Sequence, residues 1–212
     1  VMVCLLISGW GQSALADDPQ VAASTVPQIA PALVLNNPEV KDQDDGCIWI
    51  CDGEPQLSCL ITSDKSANRV FVYDLSGNLR QSLEVPKPGN IDLRQRVLMD
   101  GRHRDFVVVN QRSGGTQLRA FEMARETRLL TAIDGGMIPT GPNYGGCLYH
   151  SQKSGKLYFI CTSDAGQVEQ HELRGDGQGG MTGALVRSWP MEKCEGAVAD
   201  DETGTLYIAE ER

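Results

Sequence analysis

Two acids close the last hairpin pattern of the chain, Glu195 and Glu211, and their types and spacing suit cation chemistry. Between them an apolar run, Ala197-Val198-Ala199, meets the turn residues Asp201-Glu202-Thr203-Gly204 and then a β-rich run, Leu206-Tyr207-Ile208. That order predicts a β-hairpin. A three-residue loop, Glu202-Thr203-Gly204, sets Glu195 opposite Glu211, whereas a four-residue loop starting at Asp201 sets Glu195 opposite Glu210. Either register puts two carboxylates roughly 4.5 to 5.5 Å apart, where like charges destabilise a sheet. A hard cation such as calcium, which takes several carboxylate oxygens, removes that penalty. The plainer reading is two solvated acids on a strand end.

Other groups gain interest beside that pair. Asp44-Asp45 stands directly before the apolar strand of residues 47–51, and neighbouring acids on a strand lead-in point to opposite sides, so they could serve two ions. Lys65 and Arg112 each follow an apolar strand and precede polar turn residues, which places both cations at strand ends. Arginine offers phosphate a planar fork and lysine a point charge. Asn90-Ile91-Asp92 offers a cation a backbone carbonyl and a carboxylate, and Tyr144 offers a ligand a hydroxyl. Taken singly, each of these charges could be a solvated loop residue and Tyr144 a packed aromatic. His150 and His171 have no serine or cysteine partner at a readable spacing, so a nucleophilic triad is not supported. The glycines at 175, 177, 179 and 180 suit a hairpin turn rather than a phosphate loop, because no strand-to-helix context surrounds them.

The elements that must position these groups are short β runs separated by Gly, Asn, Asp and Ser, with no amphipathic helix pattern. Residues 146–162 lie over residues 195–211, with Gly155 matching Gly204 and Leu157-Tyr158 matching Leu206-Tyr207, a shift of 49. Four-stranded propeller blades repeat every ~40 to 50 residues, so the spacing predicts an all-β propeller of four-stranded antiparallel blades. A β-sandwich would hold hairpins without requiring that regularity. From Val40 onward there is room for about four blades at ~45 residues each, so a partial sequence, clipped at both ends, is expected.

Residues 1–16 have the layout of a secretory apolar region and small-residue cleavage site that has lost its start. Residues 17–40 read as an extended leader with prolines at 19, 27, 31 and 38, and residues 41–212 as the partial propeller. Export to a secreted or periplasmic location follows, and it would permit disulfides among Cys47, Cys51, Cys59, Cys147, Cys161 and Cys194. Their connectivity is not readable, and small core residues are the competing assignment. A hydrophobic fraction of 41% with 22% charged residues is ordinary for a globular domain. The net charge of −9 and pI near 4.8, with no basic stripe, exclude a nucleic-acid surface. The sequence offers no membrane span beyond the short leader, and a monomer is expected. An anionic ligand would need metal ions to bind here.

Taken in order, these stretches resemble the β-propeller phytases, secreted calcium-dependent phosphoric monoester hydrolases with six blades. The likeness runs through DDGCIW (44–49), TSDK (62–65), YDLSGNL (73–79), GNIDLR (89–94), NQRS (110–113), YGGCLYHSQKSGKLY (144–158), GQVEQHEL (166–173) and EGAVADDETGTLYIAEE (195–211). The resemblance implies that Asp44, Glu195 and Glu211 hold catalytic calcium. It also implies that Asp45 with the Gly46 carbonyl, and Asp92 with the Ile91 carbonyl, bind a structural calcium. Lys65, Arg112 and Tyr144 would grip phosphates of phytate, myo-inositol hexakisphosphate, taken as its calcium complex. Glu195, Glu211, Lys65 and Arg112 would carry catalysis by direct attack of a calcium-bound water, with no phosphoenzyme. The register pairing Glu195 with Glu211 is the one the resemblance requires, with Glu210 pointing away. Departures are Gly46 where the family has proline, Gly89 where it has asparagine, Pro142-Asn143 where an acid precedes the motif tyrosine, and Asp164 where a phosphate-binding lysine is typical. The rival expectations are a calcium-dependent propeller lactonase, which Lys65 and Arg112 weigh against, and a non-catalytic phosphate-binding or interaction propeller. The chain alone is expected to be inactive, since an unclosed propeller leaves an exposed sheet edge.

Overall fold

The sequence Asp105-Phe-Val-Val-Val-Asn110 shows how this fold is built. Val107 and Val109 belong to one hydrophobic core and Phe106 and Val108 to another, so the strand is buried on both faces. Its sheet is therefore a layer sandwiched between two others. The computed structural model describes residues 4–5, 30–135 and 138–211. The expected export signal lies outside them apart from Cys4–Leu5 (β1), which pairs in parallel with the final strand.

The first sheet holds β2 (Gln43–Trp49), β3 (Cys59–Asp64), β4 (Arg69–Asp74) and β5 (Leu79–Glu84) in that spatial order. The second follows β6 (Pro88–Met99), β7 (Arg102–Gln111) and β8 (Gln117–Ala124), with β9 (Leu129–Ala132) and β10 (Ile138–Pro139) both pairing β8. The third is β11 (Gly145–His150), β12 (Leu157–Thr162), β13 (Gln167–Gly175) and β14 (Met181–Pro190). A fourth begins with the hairpin of β15 (Cys194–Asp200) and β16 (Thr205–Glu210). Among the described residues the only helical element is a 3-10 turn at Pro55–Leu57. First strands pack on one another in sequence, β2 on β6, β6 on β11 and β11 on β15, which makes the sheets propeller blades with those strands innermost.

Three cores fill the three interfaces between blades. Trp49, Ile61, Val70 and Val72 meet Val107, Val109, Phe121 and Met123 between the first two. Phe106, Val108 and Leu118 meet Leu148, Phe159 and Leu173 between the next two. Cys147, Ile160 and Val168 meet Cys194, Ala199, Leu206 and Ile208 at the last. Cys47, Cys51, Cys59, Cys147, Cys161 and Cys194 are free thiols, four of them buried, so they serve as small core groups. Burial pushes the Cys147 thiol up to about 12, far from a reactive thiolate.

The predicted repeat is a structural one. Hairpins β11–β12 and β15–β16 are the same two strands of successive blades, and their turns match. Gly155 and Gly204 have φ of 68° and 69°, and each donates its N–H back to Ser151 and Asp200 respectively. Register is where expectation fails. The last hairpin closes through a four-residue turn, with Asp200 opposite Thr205 and Val198 opposite Tyr207. The Asp200 carboxylate accepts the Glu202 and Thr203 N–H groups and fixes that longer turn. Glu211 therefore does not face Glu195 across a regular ladder, and Glu210 faces Cys194 instead.

Candidate active site

In an antiparallel blade the start of the innermost strand and the end of its neighbour lie at the same end of the propeller. Asp44 and Asp45 start the first inner strand and Lys65 follows the end of β3. Asn90 starts the second and Arg112 follows β7; Tyr144 precedes the third, and Glu195 starts the fourth while Glu211 follows β16. One rule of topology thus collects residues spread over 168 positions, from 44 to 211.

Three of the four inner strands also carry a bulge at that start. The ladder slips by one residue between Gln43 and Gly46, between Pro88 and Ile91, and between Cys194 and Ala197. The extra residues are Asp44-Asp45, Gly89-Asn90 and Glu195-Gly196. A bulge breaks strict alternation and re-aims side chains. Here it turns Glu195 toward Glu211, close enough for the Glu211 charge to act on its carboxyl.

Asp44, Asp45, Lys65, Asn90, Arg112, Tyr144 and Glu195 line a cavity of about 510 Å³ together with Lys87 and Gly196. Lys65 Nζ lies 2.8 Å from Asp44 Oδ1, and the Arg112 guanidinium reaches both Asp44, at 3.5 Å, and Glu195, at 3.8 Å. Arg112 also donates to the Tyr144 carbonyl at 3.2 Å and lies over its ring, 5.3 Å from the centroid. Burial, then the charge of Asp44, and further the charge of Glu211 hold the Glu195 carboxyl above the usual range, against the pull of Arg112. Contact with Asp44 raises the ammonium pKa of Lys65, so it stays charged.

Neighbouring blades lock these positions. Asp45 Oδ2 accepts the Ile91 N–H at 3.1 Å and the Asn90 amide at 3.3 Å, while Ser63 Oγ donates to the Gly89 carbonyl at 2.6 Å and Thr162 to that of Glu195 at 2.8 Å. Two of the departures noted in the sequence have structural reasons. The Gly46 N–H donates to Asp45 Oδ1 at 2.8 Å, a bond no proline could make. Asn143 is buried and ties the Tyr144 loop to β7, accepting from Asn110 and donating to the Gln111 carbonyl. At Gly89 a Cβ would stand 2.6 Å from Asn110 Oδ1 and 3.2 Å from Arg112 Nε. Gly89→Ala should therefore lower stability by roughly 1 to 3 kcal/mol, the usual range for overpacking. Thermal unfolding measures this, and an unchanged midpoint would show that Asn110 yields freely.

Asp92 is placed elsewhere. Its carboxylate receives the Leu148 N–H at 2.9 Å and pairs with Arg94 at 3.0 Å, lower along the inner strands. Arg94 continues to Asp201 at 2.6 Å and to the Leu148 carbonyl at 2.7 Å, so one guanidinium joins three blades. Lys193 was missed in the sequence, where an isolated lysine before Cys194 carries no motif; it lies 2.5 Å from Glu211 and over the Tyr144 ring.

The donors fit a hard cation chemically. Carboxylates of Asp44, Asp45, Glu195 and Glu211 are joined by Asn90 Oδ1, a buried amide oxygen with no hydrogen-bond partner. Among the described residues no three acidic, His or Cys side chains converge tightly enough to grip an ion as they stand. Lys65 and Arg112 occupy the carboxylates instead, so ion binding requires these cations to yield.

Blades of this kind, with acids and cations gathered at one end of the inner strands, define a propeller with a polyvalent ionic site. The Phytase family profile matches residues 9–212, and the chain belongs to that family. It is 38% identical over 174 residues to the 3-phytase of Bacillus subtilis (strain 168), a match covering 79% of this chain and 45% of that protein. The chain thus spans less than half the length of this curated relative. A crystal structure of a functionally unknown protein from Desulfotomaculum acetoxidans DSM 771 shares the fold, with a TM-score of 0.56 at 13% identity over 80% of this chain and 49% of the other.

Proposed function

We propose that the whole protein to which these blades belong releases phosphate from phytate in a calcium-dependent reaction. The observation that carries this reading is Arg112, held between Asp44 and Glu195 with Lys65 on the far side of Asp44. Two cations that now neutralise carboxylates are already aimed where a phosphate would sit. Asp44, Glu195 and Glu211 would hold calcium, which would supply neutralisation of these carboxylates, a water of lowered pKa and screening of the phosphate charge. Lys65 and the Arg112 fork are then released to hold equatorial phosphate oxygens, where negative charge gathers as the ester bond breaks. Tyr144 borders the same cavity, and Arg112 packed on its ring keeps it there. Asp45, Asn90 and the Ile91 backbone suit a second, structural ion that pins the first blade to the second. An acidic chain can bind a polyanion this way because the ions bridge carboxylate and phosphate.

Phosphate release from phytate by the full-length protein tests the reading. Chelation should lower the rate at least 100-fold, and calcium in excess should restore it. Undiminished turnover in chelator would sink the proposal.

A further inference from the structure

We infer that Glu169 is a positioning residue for the proposed reaction, holding the loop that carries Tyr144 and, through it, the Arg112 guanidinium. This rests on the functional reading above and deepens it. Glu169 and His171 do not line the cavity. They lie on β13, the third strand of its blade, and share with Leu173 the face turned toward the second blade. Both are buried in that interface. A carboxylate and an imidazole cost more to bury there than apolar side chains would, so their presence is explained by what they bind.

The link from β10 to β11, residues 140–144, passes from the second blade to the third and ends on Tyr144. Glu169 Oε2 accepts the Gly141 N–H at 2.9 Å and meets His171 Nε2 at 2.8 Å. A proton on Nε2 satisfies that contact, because a bare nitrogen would set its lone pair against those of the carboxylate. His171 then turns an unprotonated Nδ1 to the interior, where that atom has no hydrogen-bond partner. Gln167 donates to the other carboxylate oxygen at 3.3 Å, so the group is fixed from β13 and aimed at the loop. Gly141 permits the approach, since a Cβ there would collide with Glu169 Oε1. Pro142, with its fixed φ, passes the anchor on to Asn143, which is tied to Asn110 and the Gln111 carbonyl. Tyr144 then donates its N–H to the Thr162 carbonyl at 2.7 Å, and its own carbonyl and ring receive Arg112. The chain of contacts runs from Glu169 through Gly141 and Tyr144 to the fork that would hold phosphate. Without Glu169 the Gly141 N–H loses its acceptor, and the loop is free to shift ahead of Pro142.

Misplacing a reacting or charge-stabilising group by about 1 Å costs up to roughly 100-fold in rate, so a loop shift is readable in kcat. Glu169→Ala, Glu169→Gln and Gly141→Ala should be made in the full-length protein with calcium present, each alone and combined with Arg112→Met. Glu169→Ala should lower kcat for phytate about tenfold with KM changed less than about threefold. Glu169→Gln, whose amide oxygen can still accept the Gly141 N–H, should stay within about threefold of the parent. Gly141→Ala pushes the same loop from the other side with the carboxylate in place; it should match Glu169→Ala, and it carries the test if that variant does not fold. In the Arg112→Met background either alanine replacement should lower kcat by less than about twofold more, because the group being positioned is gone. Losses that multiply with that of Arg112→Met, or an unchanged kcat in the folded alanine variants, would overturn the assignment while leaving the functional reading intact. A parent protein that releases no phosphate from phytate would overturn both.

Discussion

Replacing Arg112 by methionine should reduce phosphate release from phytate by the full-length protein at least 100-fold, with the larger part of the loss in kcat. The guanidinium is 11% exposed and meets Asp44, Glu195 and the Tyr144 carbonyl. Removing it takes away a preorganised donor aimed at developing charge, an effect worth about 100 to 1,000-fold where one such donor is lost. It also leaves Asp44 and Glu195 without a shared counter-ion, so the Glu195 carboxyl rises further and holds its proton more tightly. Any proton on Glu195 must leave before calcium binds, so the variant should need more calcium for half-maximal activity toward the acidic end of its activity range than toward the alkaline end. Arg112→Lys keeps the charge but cannot span both carboxylates, and should recover about tenfold of the loss. Steady-state kinetics at saturating calcium, with circular dichroism to confirm folding, decide the matter. A methionine variant within threefold of the parent in kcat would remove Arg112 from the catalytic machinery.

Much of this site was readable before any coordinates, and the reason is topological. Lys65 and Arg112 each end a strongly apolar strand, so their place at a blade end follows from where the apolar run stops. Asp44-Asp45 and Glu195 open strands whose partners were visible as hairpins, and the 49-residue repeat fixed which hairpins correspond. The bulges were not readable. An extra residue at Glu195-Gly196 leaves the hydrophobic alternation of Ala197, Val198 and Ala199 intact, so nothing in the pattern marks it. The register that the resemblance requires failed first at the turn, which Asp200 holds at four residues, and the bulge then shifts the strand end by one more, setting Glu210 opposite Cys194. Strand β14 carries no clear period-two signal, because it pairs on one side only and is largely exposed. Lys193 was missed because its partners, Tyr144 and Glu211, are set by blade packing and not by spacing. Only the resemblance joined Asp92 to Asp45 as ligands of one ion; along β6 its carboxylate meets Arg94 and the Leu148 N–H of the third blade.

That last placement yields the largest expected effect on stability. Replacing Arg94 by methionine should cost about 3 kcal/mol, the lower end of the range for breaking a buried pair, because the arginine side chain keeps 18% exposure. In a chain of this size such a loss lowers the unfolding midpoint by about 6 to 12 °C. Three blades lose their common tie at once: Asp92 from the second, the Leu148 carbonyl from the third and Asp201 from the fourth. The cost should also depend on pH. Burial already raises the Asp92 carboxyl above its usual range, with Arg94 opposing that rise. A carboxyl that binds its proton more tightly when folded destabilises the fold increasingly as pH climbs past its unfolded pKa. Without Arg94 that penalty grows, so the deficit of the variant should be smallest in acid, at or below the ordinary aspartate pKa of about 3.9, and widen toward neutrality. Paired Arg94→Met and Asp92→Asn replacements separate the contributions, since an uncharged amide beside Leu148 leaves no buried anion. The double variant should be more stable than Arg94→Met alone at pH 7, and denaturant unfolding would measure the difference. Equal stability of the two at neutral pH would mean that Asp92 is not stranded when Arg94 is lost, and that Arg94 acts through Asp201 and the Leu148 carbonyl alone.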